Sequence, residues 1–444
     1  MRKEVDMELL EYIQSFDKFG TKGGFKPGLE RIGRLLDLLG NPEQGLKYIH
    51  VGGTNGKGST IAFLQSIYTS AGYQVGVYTS PPLRKFNERI RISNQSITDR
   101  ELADLVDIIR QPVATLTNSE AGCPSFFEVV TALAFLYFAQ KQPDLVLLEV
   151  GLGGRWDATN IIQQPLVSVI TGIGLEHTDI LGQTLPEIAR EKAGIIKPGC
   201  PVITGAHQPH VLRELQIKAS QTGSDLACIH DLYDYQIMET TICGQRCSLK
   251  RRDQPERKQY WLGLPGKFQL INALLALEVV TLLQGIFPLT ESRIRQGLKG
   301  VSWPGRWELL SDNPPVLVDG AHNLQAIEGV GDLLEEITAP CQRVYFVMAV
   351  LADKDIQGML ASLKQRKFKK KFLFSQNWNN RSLSPLEIQQ AARELEIAHK
   401  TYSGLDQAIK QALGQARERD IVFITGSLST VGEAKSVLEN SIKP

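Results

Sequence analysis

The chain has 444 residues, and at roughly 150 residues per domain this length predicts two or three domains whose cores need neither disulfides nor a structural metal. Hydrophobic residues make up 42% of the sequence and charged residues 22%, which is ordinary for a globular protein and excludes a largely disordered chain. The 49 Lys and Arg residues balance 48 Asp and Glu residues to a net charge of +1, so no broad positive field predicts a nucleic-acid or membrane partner.

The N-terminal segment carries charges throughout and lacks the apolar centre of a signal peptide. The most apolar stretch, residues 126–139, is too short to span a bilayer and contains Glu128. Six cysteines are scattered along the chain, and the close pair Cys243 and Cys247 has no second pair to complete a zinc site. We therefore expect reduced, structural thiols and a cytoplasmic protein.

Short apolar runs alternate with helical patterns through the first part of the chain. The predicted strands cover residues 46–51, 74–78, 144–150, 166–171 and 201–204, and residues 60–71 form a predicted helix. The run at 144–150 is apolar enough to be buried on both faces, as central strands of parallel sheets are. This alternation predicts a doubly wound parallel sheet. The polar section 225–263 is interpreted as a β appendage of the same domain.

A glycine-rich loop, GGTNGKGST at residues 52–60, follows the first strand and precedes the helix. Glycines let backbone N–H groups turn inward, and a helix N-terminus favours an anion, so this context predicts a phosphate-binding loop. Lys57 would contact the terminal phosphates, and Ser59 can reach phosphate or Mg²⁺. The loop departs from the usual P-loop, because the Gly-Lys pair comes one residue early and Gly58 precedes the hydroxyl. The alternative is a glycine-rich turn without a ligand.

Two polar residues follow predicted strands closely. Glu149 ends a buried strand, where parallel sheets bind ligands and where a carboxylate is costly unless it is paired or bound to metal. From the residues alone, a metal-ligand role and a salt bridge to Arg155 are equally open. His177 comes just after the strand at 166–171, and a single His there is more often structural.

A second α/β series begins near Pro315. Its predicted strands are residues 316–319, 343–349, 372–374 and 420–425. The turn-rich segment at 296–304 marks the domain boundary, which predicts domains at 1–298 and 299–444. The predicted fold class is α/β: a P-loop ATPase-type parallel-sheet domain with a small β appendage, followed by a smaller Rossmann-like C-terminal domain.

Further motifs follow the loop in a fixed order. They are YTSP at 78–81, FNERI at 86–90, FFE at 126–128, LEVGLGGR at 148–155, DATN at 157–160, HTD at 177–179, REKAGI at 190–195, NA at 272–273, PGR at 304–306, DGAHN at 319–323 and DKD at 353–355. Together they resemble the folylpolyglutamate synthase and dihydrofolate synthase family of the Mur ligase superfamily over nearly the whole chain. Departures from the family pattern are Pro82, Glu176, Phe268 and Leu324. None removes a metal ligand or phosphate contact, but Pro82 and Phe268 leave the preferred folate open.

The resemblance implies an ATP-dependent amide ligase. ATP would phosphorylate a carboxylate of the folate substrate, and the amine of L-glutamate would then displace phosphate from the acyl phosphate. The implied acid substrates are tetrahydrofolate with its polyglutamates and dihydropteroate, the implied cofactor is Mg²⁺, and we expect a monomer. The glycine motif favours a bifunctional enzyme. The alternatives are a monofunctional folylpolyglutamate synthase or another Mur-type acid–amino acid ligase.

The resemblance also implies roles for individual residues. The implied ATP contacts are Thr54, Asn55, Gly56, Lys57, Gly58, Ser59, Asn272, Arg306 and Asp319. The implied Mg²⁺ ligands are Ser80, Glu149 and His177, and the implied folate contacts are Lys26, Pro27, Gly28, Phe126, Phe127 and Asp157. The implied catalytic residues are Lys57, Lys192 and His322, with Lys192 carbamylated.

Simpler interpretations exist for several of these residues. Lys192 would face solvent or pair with Glu191, Asn272 would cap the N-terminus of a helix, and Arg306 would brace the domain linker. Phe126 and Phe127 would belong to the core at the start of a helix.

Three rival functions are weaker on the sequence. A peptidoglycan-precursor ligase needs a UDP-sugar-binding N-terminal domain, and only about 50 residues precede the loop. A non-catalytic NTP-binding switch would not need Glu149, His177 and Asp319. A structural α/β protein would leave the loop empty. ATP turnover that depends on both folate and glutamate would separate the ligase from the switch, and nucleotide titration would test the structural protein.

Overall fold

The sequence folds as an α/β protein in two units, each built around a mainly parallel sheet, in a computed structural model that describes residues 2–16 and 27–441. The first unit comprises residues 1–82, 86–232 and 274–297, and the second comprises 83–85, 233–273 and 298–444. The predicted β appendage therefore groups with the second unit, whereas the sequence analysis attaches it to the first domain. The domain limits 1–298 and 299–444 stay a prediction.

The first part of the chain alternates strands and helices as predicted. In chain order these elements are α1 (Arg2–Gln14), α2 (Glu30–Leu38), β1 (Tyr48–Gly52), α3 (Lys57–Ser70), β2 (Val75–Tyr78), β3 (Ile90–Ile92), β4 (Gln95–Ser96), α4 (Asp99–Thr117), α5 (Phe126–Lys141), β5 (Leu145–Glu149), β6 (Val167–Ile170), α6 (Thr178–Leu181), α7 (Leu185–Lys192), β7 (Val202–Thr204), α8 (Pro209–Thr222), β8 (Leu226–Cys228) and α9 (Ile229–Leu232).

Eight of these strands form one sheet in the order β4-β3-β2-β5-β1-β6-β7-β8. The pairs from β2 to β8 are parallel, and β3 and β4 add an antiparallel edge. Strands β1 and β5 lie side by side in the middle with every residue buried, which explains their continuous apolar sequence. The carboxyl ends of β1, β2, β5 and β6 consequently meet at one edge, where doubly wound sheets bind ligands.

The remaining elements complete the chain. They are β9 (Tyr233–Thr241), β10 (Gly244–Arg251), β11 (Lys258–Leu262), α10 (Lys267–Leu282), α11 (Glu291–Gly300), β12 (Glu308–Asp312), β13 (Pro315–Asp319), α12 (Leu324–Ile337), β14 (Arg343–Met348), α13 (Ile356–Lys364), β15 (Lys369–Phe374), α14 (Pro385–Glu394), β16 (His399–Thr401), α15 (Leu405–Gln415), β17 (Ile421–Thr425) and α16 (Leu428–Ser441).

The second unit contains two sheets. The larger has the order β12-β13-β17-β14-β15-β16 and is parallel except for β12, and the smaller is the antiparallel meander β11-β10-β9. Trp307 joins the two, because its indole Nε1 donates to the carbonyl oxygen of Ile242 at 2.9 Å while its ring packs on Phe423. Across residues 2–16 and 27–441, none of the helices combines the length and apolar character needed to cross a membrane.

Candidate active site

The predicted phosphate loop connects β1 to α3 and is held against the end of β6. Thr54 donates its N–H to the carbonyl oxygen of Gly172 at 2.8 Å, and the Thr171 hydroxyl donates to that of Asn55 at 2.7 Å. Gly53 has φ +140°, a conformation that suits glycine, and a Cβ there would overlap Thr171 Oγ1. Gly56, at φ +95°, ends the loop, so α3 begins at Lys57, three residues earlier than predicted. Its N-terminus therefore faces the loop.

Two lysines converge on one carbonyl oxygen of this loop. Lys57 donates from Nζ to the Gly53 oxygen at 2.9 Å and to the Thr54 oxygen at 3.0 Å, and Lys192 donates to the same Gly53 oxygen at 2.9 Å. Lys192 is only 4% exposed, so the solvent-facing alternative is wrong. Burial, together with the charge of Lys57, lowers the pKa of Lys192 to about 7. A substantial fraction of its amine is therefore neutral near neutral pH.

Glu149 ends β5 and is 6% exposed. Its Oε2 accepts the backbone N–H of Ser80 at 3.0 Å, so two of the three predicted metal ligands are neighbours. The alternative salt bridge from Arg155 is made to Glu191 instead, at 3.5 Å. A carboxylate beside a serine supplies the oxygen ligands that Mg²⁺ prefers.

His177, the third predicted ligand, lies just before α6 with φ +50°. Its side chain is 40% exposed, and Nε2 is 3.7 Å from Glu176 Oε1. Across the described residues, no three His, Cys, Asp or Glu side chains form a cluster that could hold a metal. The contribution of His177 to a Mg²⁺ site stays a prediction.

Two glycine motifs that are 40 residues apart in the sequence pack backbone against backbone. A Cβ at Gly154 would be 2.8 Å from the Glu191 oxygen and 2.9 Å from the Lys192 oxygen, and a Cβ at Gly194 would overlap the Arg155 backbone. Arg155 donates its N–H to the Glu191 oxygen at 2.9 Å across the same contact. The absence of side chains at both glycines thus fixes Lys192 relative to the loop after β5.

The buried carboxylate of Asp157 stabilises the loop after β5 by hydrogen bonds. Its Oδ2 accepts the N–H groups of Gly151 and Leu152, each at 2.9 Å, while Oδ1 accepts the N–H of Thr159 at 3.0 Å and its hydroxyl at 2.5 Å. Burial raises the pKa of this carboxyl. Both oxygens serve the protein's own backbone, a role that the sequence analysis did not assign, and contact with folate stays a prediction.

The predicted folate contacts at 126 and 127 lie at the start of α5. Ser125 caps this helix, and both rings are half-buried against the core beneath, as the simpler interpretation expected. The Arg89 guanidinium lies 5.5 Å from the centroid of Phe126, and the Phe127 ring lies 6.1 Å from that of Tyr78.

A cavity of about 240 Å³ opens nearby in the first unit. Its walls include Pro27 and residues 152–154, together with Trp156 and Ile180. Pro27 is a predicted folate contact, whereas Trp156, 41% exposed, was missed, although an exposed tryptophan beside a glycine motif is a usable sequence signal. Gly28 adjoins Pro27 with φ +147°, and Lys26 lies outside the described residues.

Two of the predicted residues of the second unit lie at the end of β13. Asp319 accepts the N–H groups of Trp307 and Ala321, each at 2.8 Å, and burial raises the pKa of this carboxyl. His322 donates from Nδ1 to the Gly320 oxygen at 2.8 Å.

Two further predicted ATP contacts belong to the same unit. Arg306 donates from Nη1 to the Gly305 oxygen at 3.3 Å. Asn272 lies five residues inside α10 and donates to Gln269 Oε1 at 3.0 Å, so the prediction that it opens a helix as an N-cap is wrong. Contact of these residues with ATP stays a prediction.

Comparison with known proteins agrees with the motif order. Residues 51–280 match the Mur ligase middle domain, and residues 305–428 match the Mur ligase glutamate ligase domain. The dihydrofolate synthase/folylpolyglutamate synthase of Bacillus subtilis is 38% identical over 422 residues, which cover 94% of this chain and 96% of that protein. The enzyme of the same name from Escherichia coli is 33% identical over 420 residues, covering 93% and 91%.

A solved structure shows the same fold. Folylpolyglutamate synthase of Mycobacterium tuberculosis, complexed with ADP and AMPPCP, is 30% identical with a TM-score of 0.86, and the match covers 98% of this chain and 99% of that one. This chain and these relatives agree in length, in the order of their motifs and in fold. The chain therefore belongs to the folylpolyglutamate synthase and dihydrofolate synthase family of Mur ligases, which are ATP-dependent enzymes that form C–N bonds.

Proposed function

We propose that this protein joins L-glutamate to tetrahydrofolate, to its polyglutamates and to dihydropteroate, with ATP and Mg²⁺. The observation that carries the proposal is the convergence of Lys57 and Lys192 on the Gly53 carbonyl, at the N-terminus of α3 and at the carboxyl edge of a doubly wound sheet. This arrangement supports a phosphate site made by the charge of Lys57 and a row of backbone N–H groups, with Lys192 beside the loop.

The phosphate loop supplies most of the expected catalysis by position and charge. The N–H groups of residues 54–59 would hold the ATP phosphates, and Lys57 would exchange its carbonyl partners for phosphate oxygens. In-line alignment of reactants can supply roughly 7–11 kcal/mol, whereas one general base typically gives only about 10²–10⁴-fold. We therefore expect loss of Lys57 to affect turnover more than loss of any proton-transfer group.

Ser80 and Glu149 would hold Mg²⁺, with His177 as the third ligand. The ion, when bound, neutralises phosphate charge during acyl transfer. The Ser80 N–H bond to Glu149 Oε2 supports this assignment, because it orients the carboxylate and brings the serine next to it.

Lys192 would become carbamylated. Its neutral amine nitrogen forms a bond to the carbon of CO₂ as one C=O π bond opens, and one proton leaves the nitrogen, which converts the neutral amine into an anionic oxygen donor. The pKa of about 7 supports this proposal, because only the neutral amine reacts. ¹³C NMR of the protein in ¹³C-bicarbonate buffer would show a carbamate signal that disappears in Lys192→Met.

The folate substrate would enter the cavity beside Pro27 and residues 152–154, with Phe126 and Phe127 next to its flat rings. In the second unit, Asn272, Arg306 and Asp319 would contact ATP, and His322 would lie near the phosphates. Single alanine variants at these four positions, measured by the KM for ATP, test the second group.

The deciding experiment measures phosphate release from ATP with glutamate and Mg²⁺, using tetrahydrofolate and dihydropteroate in separate reactions. Release with both supports the bifunctional enzyme, and release with tetrahydrofolate alone supports the monofunctional one. Release with neither overturns the proposal. Lys57→Ala should abolish turnover, whereas Lys47→Ala, at an exposed lysine just before β1, should leave turnover unchanged.

A further inference from the structure

His50 is a buried histidine that the proposed chemistry does not use. It lies on β1, two residues before Gly52, and is 0% exposed. Its neighbours in the sheet are Leu148 and Ser168. A polar ring in the centre of a parallel sheet is costly unless its nitrogens are hydrogen-bonded, so its partners indicate what it does.

A chain of hydrogen bonds runs from this ring to Asp157. His50 Nε2 lies 2.9 Å from Thr159 Oγ1, and that hydroxyl donates to Asp157 Oδ1 at 2.5 Å. A hydroxyl has one proton, so Thr159 must accept from His50. The proton of the neutral ring is therefore on Nε2. Nδ1 is buried and, among the described residues, has no hydrogen-bond partner.

The opposite proton order is less favourable. It would need a protonated Asp157 that donates to Thr159, with a buried Nδ1–H that lacks an acceptor. Burial raises the pKa of Asp157, but its four accepted hydrogen bonds, three of them from backbone N–H groups, favour the ionised form. Burial and the positive charge of Lys197 lower the pKa of His50 to about 3, which agrees with a neutral ring.

At its far end, this chain of hydrogen bonds reaches the wall of the cavity through Asp157. Asp157 Oδ2 holds the N–H groups of Gly151 and Leu152, and residues 152–154 line the cavity. We infer that His50 is a positioning residue for the acid-substrate cavity: its Nε2–H, acting through Thr159, orients Asp157 and thereby fixes the loop after β5. This inference rests on the proposed function for the identity of the substrate.

The test compares two variants, His50→Gln and His50→Met, whose new side chains have nearly equal shape. Glutamine retains an N–H donor at the place of Nε2, and methionine does not. Loss of one such hydrogen bond should raise the KM for tetrahydrofolate in His50→Met by roughly ten-fold, with His50→Gln within about two-fold of wild type. The KM for ATP should change in neither, since the phosphate loop is not part of the chain of hydrogen bonds.

Thr159→Ser and Thr159→Val provide an independent pair, because serine retains the hydroxyl and valine retains only the shape. Thr159→Val should reproduce the KM increase of His50→Met, and Thr159→Ser should not. Equal KM values within either pair, or an increase confined to the KM for ATP, would overturn the inference.

¹⁵N NMR of the ring examines the proton order without any assay of activity. We expect His50 to show a protonated Nε2 and a bare Nδ1 that do not change between pH 5 and 8, although Lys197 nearby, whose pKa burial lowers to about 8, begins to titrate in this range. A protonated Nδ1 would refute the proposed chain of hydrogen bonds from His50 through Thr159 to Asp157. Absence of ligation by wild-type protein, with the expected NMR signals present, would instead refute the proposed function.

Discussion

Gly53→Ala should weaken the fold of the first unit far more than an ordinary glycine replacement. Gly53 has φ +140°, and its absent Cβ would overlap the Oγ1 of Thr171. Thr171 is buried and cannot simply turn away, because its hydroxyl donates to the Asn55 oxygen at 2.7 Å and lies 3.2 Å from the Gly52 oxygen. The substitution therefore combines backbone strain with a collision.

The two effects can be given separate magnitudes. A non-glycine residue in a sparsely populated backbone region costs about 1–3 kcal/mol. Forcing extra volume into a packed site costs about 1–3 kcal/mol more, and displacing the Thr171 hydroxyl removes a hydrogen bond worth roughly 1 kcal/mol. The sum, about 3–7 kcal/mol, is a large fraction of the stability of an ordinary domain.

Gly72→Ala is the matched control. Gly72 follows α3 in the same unit with φ +94°, but a Cβ there would have no atom within 4 Å. It should lose only the backbone part, about 1–2 kcal/mol. Urea unfolding of both variants should therefore separate them by at least about 2 kcal/mol.

A double variant isolates the collision. Thr171→Ala removes the obstructing hydroxyl, so Gly53→Ala should cost less in that background than in wild type, by about 1–3 kcal/mol. Equal unfolding free energies for Gly53→Ala and Gly72→Ala, or strict additivity in the double variant, would refute the collision argument.

Three further outcomes are expected. For Lys192, whose pKa is lowered from 10.5 to about 7, the unfolded state binds more protons between these values, so this residue makes stability rise with pH. The stability of Lys192→Met relative to wild type should therefore be greatest below pH 7 and decline towards pH 10.5, and a pH-independent difference in urea unfolding would contradict this. Glu149→Gln should retain ATP binding by calorimetry but lose Mg²⁺-dependent ligation, whereas an unchanged Mg²⁺ dependence would exclude its ligand role. Ser125→Ala removes the cap of α5 and should lower the unfolding free energy by about 1 kcal/mol, which thermal unfolding would detect.

The buried parallel strands were predictable because burial on both faces leaves a long apolar run in the sequence. Strand β5 was expected at 144–150 and lies at Leu145–Glu149, and β14 was expected at 343–349 and lies at Arg343–Met348. Two edge strands were not predicted in their sheets, since β16 was missed and β8 fell in the section 225–263 that was assigned to the β appendage. β16 has three partly or fully exposed residues, and β8 is three residues long and only half-buried, so neither carries an apolar run.

The backbone of the predicted phosphate loop has a local cause in the sequence. Its glycines are required by its backbone, although α3 begins three residues before the predicted start because Gly56 ends the loop. The environment of Lys192 was not predictable, because its burial depends on packing between segments 40 residues apart. Asn272 was expected to open a helix, because it follows a turn-rich segment, but it lies inside α10, which begins at Lys267.

Gly154 packs on the backbone of residues 191–192, and Gly194 packs on the backbone of Arg155. The two segments therefore touch through main chain. Residues 153 and 154 line the cavity, and Lys192 holds the Gly53 carbonyl of the phosphate loop. Gly154 and Gly194 leave no side chain between the two backbones, so main-chain contact alone sets the spacing between the cavity wall and the segment that carries Lys192. A larger residue at either glycine would therefore shift the cavity wall relative to the lysine that holds the phosphate loop.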